Sequence, residues 1–279
     1  MNFSGSRALS EGLEILKSRF GVLIATALIF YVAMFAVMAV FGGSLMQVAM
    51  MGAGGGDPSQ AMAGMGLSLL LFYVLLYAVQ FAMTLALMRL CSDRHAPSIG
   101  DAIGAGVRGV PTLFGAAILI GIVGLVVGLI LGAIVGIIVA TANSSAISLI
   151  VGLGFAVGAI YLFARMSMLV PVVAIDEERN PITAISRSWR MTDGAALKIA
   201  LVYGAAIVAI IVLMFLMAGL TIGVGAMGGG APNPAGIIGF VIGMVVVGLT
   251  VGLYMQTLVA AIHRQLSDKS VETATKTFS

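Results

Sequence analysis

The fourteen Lys and Arg residues of this chain fall in four clusters, and the long stretches between them carry no charge. The charge-free stretches are residues 20–56, 58–88, 109–164 and 199–263. A helix needs about twenty apolar residues to cross the hydrocarbon core of a bilayer. The runs therefore hold six candidate crossings, at residues 21–41, 67–88, 112–140, 146–170, 199–222 and 237–262. The runs are continuous and do not alternate, which favours helices over barrel strands.

Charge alternates across these crossings. The bases sit at Arg7, Lys17 and Arg19, at Arg89, Arg94 and Arg108, from Arg165 to Lys198, and at Arg264, Lys269 and Lys276. The intervening loops, at about 42–66, 141–145 and 223–236, hold a single charge, Asp57. Basic residues concentrate on cytoplasmic loops of polytopic proteins. The pattern thus predicts six spans with both termini in the cytoplasm.

Composition agrees. With 61% hydrophobic and 9% charged residues, the chain departs far from soluble domains, which carry about 25% charged residues. Ten of the eleven acids share the basic face, leaving it at about +4, an ordinary charge for a surface against anionic lipid. No basic helix is left free of acids and of membrane, so no nucleic acid partner is expected. The single cysteine, Cys91, excludes an internal disulfide and lies on the predicted reducing side. Glu11, Glu14 and a full-length apolar run make the N-terminus unlike a cleavable signal. The first span is expected to stay as an anchor.

A polar segment of helical pattern precedes each outgoing span. Leu9, Leu13, Leu16 and Phe20 make the apolar face of the first, Ile99, Ile103 and Val110 that of the second, and Ile182, Ile185 and Trp189 that of the third. Helices of this kind lie in the membrane plane, and tryptophan suits headgroup depth. Aligning Ala8, Ala102 and Ala184 brings Gly12, Gly106 and Ser188 into one column and Leu13, Val107 and Trp189 into the next. The expected fold is therefore an all-α polytopic membrane protein of six transmembrane helices in three hairpins, each preceded by a cytoplasmic amphipathic helix. The repeats divide one membrane domain into units at about 4–95, 96–179 and 180–266, with a polar tail at 267–279. Asn180 before Pro181 predicts an N-cap, Ser98 with Asp101 approximates a capping box, and Thr192-Asp193-Gly194 predicts a break.

Few residues carry chemistry. Gly124, Gly128, Gly132 and Gly136 line one face of the third span, as do Gly239, Gly243, Gly248 and Gly252 in the sixth. Close helix packing within the bundle is the expected role; a self-association face or a ligand groove is the alternative. Arg165 is the one base inside a span. It either snorkels to the headgroups or pairs with an acid, Asp176 or Glu177 being nearest if the chain folds back at Pro171. Asp176-Glu177-Glu178 reads as a solvated acidic turn at the N-terminus of the next helix. Thioethers at Met46, Met50, Met51, Met62 and Met65 could hold Cu(I), but eighteen methionines make chance clustering the stronger account. His95 and His263 lack a ligand cluster, and no Walker loop, nucleophile elbow or intramembrane acid appears. No catalytic residue, metal or cofactor is expected.

The segment from Tyr161 to Lys198, about forty residues, contains Arg165, Pro171, Glu177, Pro181, Ala184-Ile185, Ser188-Trp189-Arg190-Met191-Thr192 and Gly194. It resembles the membrane domain attached to some bacterial glycerophosphoryl diester phosphodiesterases and found in stand-alone membrane proteins. The resemblance implies a multi-span inner-membrane module of poorly defined activity. It does not imply phosphodiesterase activity, since the catalytic domain would be a separate soluble barrel.

The expected function is that of a non-enzymatic integral protein of the bacterial inner membrane, assisting lipid or envelope processes or supporting a membrane complex. Its partners are membrane lipids of the anionic cytoplasmic leaflet; a homo-oligomer or larger assembly stays open. The alternative is a transporter or channel for a neutral or lipid-like solute, with Tyr77, Gln80 and Thr84 on one face of the second span and Gln256 in the sixth.

Overall fold

The computed structural model describes residues 3–53, 58–92, 97–142, 145–227 and 234–277. Among them are eight α-helices and no strand: α1 (Gly5–Ala53), α2 (Pro58–Leu90), α3 (Ile99–Ala142), α4 (Ser145–Met166), α5 (Leu169–Ala174), α6 (Pro181–Met191), α7 (Ala196–Met227) and α8 (Pro234–Thr277). Six helical stretches are long and apolar enough to cross a membrane. The chain is an all-α polytopic membrane protein.

The three polar segments differ in how they join their spans. The first two run without a break into α1 and α3, because nothing in Arg19-Phe20-Gly21 interrupts a helix and α3 takes Pro111 into its interior. The third is a separate helix, α6. It starts where Asn180 Oδ1 accepts the backbone N–H groups of Ile182 at 2.9 Å and Thr183 at 3.4 Å, with Pro181 at the first helical position. It stops at the turn containing Gly194, whose φ of +70° favours a residue without Cβ. At the start of α3, Ser98 Oγ accepts the Asp101 N–H at 3.2 Å, and the Asp101 carboxylate takes the Ser98 hydroxyl at 2.6 Å. The aspartate bonds the hydroxyl, where the longer acid of a full capping box would reach the backbone.

The helices also run farther than the apolar patterns. α1 continues to Ala53, α2 begins at Pro58 and α8 stays helical to Thr277, through most of the expected tail. Met46, Met50, Met51, Met62 and Met65 thus lie on helices, not in a loop. Met46 and Met50 are exposed; the side chains of the other three lie outside the described residues.

Two compact units make up the chain. One comprises Met1–Ser18, Leu119–Leu169 and Ala184–Ser279; the other comprises Arg19–Ile118 and Val170–Thr183. In the first, α7 packs against α4 and α8. Its core includes Ala8, Met168, Ile199, Leu258 and Ile262, each fully buried and within a turn of Arg7, Arg165, Lys198 or Arg264, save Leu258. In the second unit α3 meets α2 so closely that a Cβ at Gly106 would lie 2.5 Å from the Ala82 carbonyl oxygen.

The glycine faces behave differently from expectation. The most apolar window of α3 buries none of its residues, and a Cβ added at Gly124, Gly128, Gly132 or Gly136 would meet nothing within 4 Å. Gly248 and Gly252 are equally open. The expected packing within the bundle is not made at these positions. Lipid tails are as apolar as the side chains, so no hydrophobic effect draws spans together at mid-membrane. On α3 the close contacts fall instead at Gly106 and Gly109, beside Arg108.

The aligned columns share a burial pattern. Ala8, Ala102 and Ala184 are each 0% exposed, whereas Leu13, Val107 and Trp189 are 43%, 54% and 40% exposed. The column between them makes the close contacts. A Cβ at Gly12 would lie 3.0 Å from Leu258 Cα of α8, Gly106 abuts α2, and the Ser188 hydroxyl donates to the Arg165 carbonyl of α4 at 2.9 Å. Each contact is made to the returning helix of a hairpin.

Candidate functional site

Pro171 has no N–H to donate back along the chain, and α4 stops at Met166, before α5 begins at Leu169. Arg165 is thereby placed in the last turn of α4, where backbone carbonyls lose their helical donors. The Ser188 hydroxyl of α6 serves the Arg165 carbonyl at 2.9 Å, and Thr192 Oγ1 stands 3.5 Å away. Thr192 also closes the end of α6, its hydroxyl lying 3.0 Å from the carbonyls of both Ser188 and Trp189. Both side chains are fully buried. Replacing Ser188 would take from the buried Arg165 carbonyl its nearer donor.

The Arg165 side chain lies between two aromatic rings. Its guanidinium carbon is 5.3 Å from the Tyr161 centroid and 5.0 Å from that of Trp189. Its Nε donates to Tyr161 Oη at 2.9 Å, Nη1 to the Trp189 carbonyl at 3.1 Å and Nη2 to Asp193 Oδ1 at 3.1 Å. A planar guanidinium suits this setting because it stacks on rings while its edge donates. The result joins α4, α6 and the turn before α7. An arginine stays protonated in proteins, so the cluster holds a cation in place and moves no proton.

Of the six candidate residues, Arg165, Ser188, Trp189 and Arg190 share this unit. Arg165, Ser188 and Trp189 are in contact, and Arg190 adds only its carbonyl, which accepts the Asp193 N–H at 3.2 Å; its side chain is exposed. Pro171 and Glu177 belong to the other unit. The expected acid is corrected: Arg165 pairs with Asp193, while Glu177 Oε1 accepts Arg89 Nη1 at 2.6 Å. The reason lies in two turns. Glu177 takes a left-handed φ of +57°, and the turn after α6 presents Asp193 to Arg165. Tyr161, at helical spacing before Arg165, was open to detection from sequence; Arg89 and Asp193 depended on how those turns close.

The acidic turn is locally bonded, with Glu178 Oε1 accepting the Asn180 N–H at 3.1 Å. In the same unit Arg19 donates to the Leu90 carbonyl and, at 3.1 Å, to that of Ser92, capping the end of α2. On the face weighed as a solute path, Tyr77 is 53% exposed, and the Thr84 hydroxyl turns back onto the Gln80 carbonyl at 2.9 Å. Gln256 is half-buried. His263 and Cys91 are buried, and His95 lies outside the described residues. Among the described residues, no group of three His, Cys, Asp or Glu side chains gathers.

No family model, curated protein or solved structure matches this chain.

Proposed function

We propose that this protein is a non-enzymatic component of the bacterial cytoplasmic membrane that grips the cytoplasmic leaflet and assists lipid or envelope processes, or steadies a partner complex there. The family resemblance around Arg165 to Gly194 supports the setting, and the basic clusters support the side. The observation that carries the reading is the repeat column Leu13, Val107 and Trp189. Three apolar side chains stay 43%, 54% and 40% exposed beside alanines that are fully buried. Exposed apolar residues at the basic end of a membrane protein find their solvent at the headgroup–acyl boundary. Arg165 holds Trp189 at that level by stacking on its ring and bonding its carbonyl.

Trp189 is the only tryptophan, so its fluorescence reports this helix alone. In vesicles containing brominated lipids, shallow labels should quench it more strongly than labels near the tail ends. Thermal stability should rise with the anionic lipid fraction. Quenching that increases toward the bilayer centre, or stability indifferent to anionic lipid, would remove the basis for the reading.

A further inference from the structure

Lys198 stands on α7 in line with two alanines farther along the same helix. Ala205 and Ala209 follow it by seven and eleven residues, so all three lie within about 20° of one line, the alanines about 10 and 16 Å from the lysine. Lys198, Leu201, Ala205 and Ala209 are exposed, which leaves this strip of α7 open. The start of α1 covers its flank, where a Cβ at Gly5 would lie 2.7 Å from Val202 Cγ2. Among the described residues Lys198 makes no ion pair, and Asp193, the acid nearest in sequence, is held by Arg165 at 3.1 Å. Its ammonium is an uncompensated charge at the basic end of an apolar track.

The track ends in a groove of about 310 Å³ where α7, α8 and the start of α1 meet, within a single unit. Ala205, Ala206 and Ala209 give it depth by being short, and Leu9, Tyr254 and Met255 close its sides. Among the described lining residues Tyr254 alone has a polar side chain, and its hydroxyl bonds the Leu9 carbonyl at 3.4 Å. A polar solute would be left unsatisfied in such a groove. With the ammonium at headgroup level the groove lies at hydrocarbon depth, so charge and apolar surface meet one amphiphile in the order of its own parts. We infer that an anionic phospholipid sets its phosphate at Lys198 and one acyl chain along Ala205 and Ala209 into the α1–α7–α8 groove. A zwitterionic headgroup already compensates its phosphate, so it gains less from a lone ammonium. The inference rests on the proposed lipid-facing role and deepens it by assigning a discrete lipid.

The test uses the full chain in detergent with one equivalent of phosphatidylglycerol carrying a diazirine on its acyl chain. After photolysis, adducts should concentrate on residues 205–213 and 251–255 at least five-fold over the rest of the spans. Phosphatidylcholine with the same chain should give several-fold fewer adducts there, and Lys198→Gln should erase that difference. Arg264 follows Met255 by nine residues, about two and a half turns, and so faces away from the groove on α8. Arg264→Gln removes the same charge and should leave the difference intact. Ala209→Phe should empty the groove; if that variant fails to fold, the wild-type map and Lys198→Gln decide. Adducts spread evenly over all spans, equal labelling by both lipids, or a preference that survives Lys198→Gln would overturn the inference. If it is overturned while shallow Trp189 quenching and anionic stabilisation persist, only this lipid site falls. If those are lost too, the lipid-gripping role falls with it.

Discussion

Arg165 donates to Asp193 at 3.1 Å, across a pair whose ends differ in environment: 10% of the arginine side chain is exposed and 78% of the aspartate. Solvent at the acid screens the charge, so the ion pair contributes at most about 1 kcal/mol. The two ring contacts and the bond to the Trp189 carbonyl hold the guanidinium more firmly, each ring adding about 0.5–2 kcal/mol.

Asp193→Asn should therefore cost less than about 1 kcal/mol, while Arg165→Ala should cost about 2–4 kcal/mol, in the range of a disrupted buried network. Arg165→Lys should recover little of the loss, because an ammonium neither stacks nor forks. Arg165→Ala combined with Glu177→Ala should be additive, as these two residues have different partners. Reversible unfolding in mixed micelles measures all four.

Two sets of glycines should respond oppositely to alanine. At Gly106 the new Cβ would sit 2.5 Å from the Ala82 carbonyl oxygen, so α2 and α3 must separate. Overpacking of this kind costs about 1–3 kcal/mol. Gly128→Ala meets nothing within 4 Å and improves helix propensity, so stability should hold or rise by up to about 1 kcal/mol. Unfolding midpoints of the two variants in one detergent decide this.

The left-handed turns give another contrast. Gly194, at φ +70°, should lose about 1–2 kcal/mol on mutation to alanine. Glu177→Gly relieves a similar backbone cost at φ +57° but forfeits the contact with Arg89, so its net change should stay within about 1 kcal/mol. The same unfolding measurement separates a loss at 194 from near-neutrality at 177.

Local chemistry and bulk hydropathy were legible before the structure. Uninterrupted apolar runs define the spans, and Asn180-Pro181 marks the start of α6 because a cap uses only neighbouring atoms. The columns aligned on Ala8, Ala102 and Ala184 carry matched burial. What escaped was set by geometry at a distance. Asp193 reaches Arg165 only because the chain turns at Gly194. The glycine face of α3 has the spacing of a packing motif, yet spacing says nothing of whether a second helix is present. Gly12 and Gly106, without a neighbouring glycine at that spacing, make the close contacts instead.

Sidedness is the claim on which the account stands, and cysteine accessibility in intact cells tests it most directly. In a Cys91→Ala background, Arg190→Cys reports α6 and Asn143→Cys reports the stretch of sequence between the third and fourth spans. A membrane-impermeant maleimide added outside should label position 143 and leave position 190 unlabelled until the membrane is permeabilised. Labelling of 190 from outside, with 143 protected, would contradict the account.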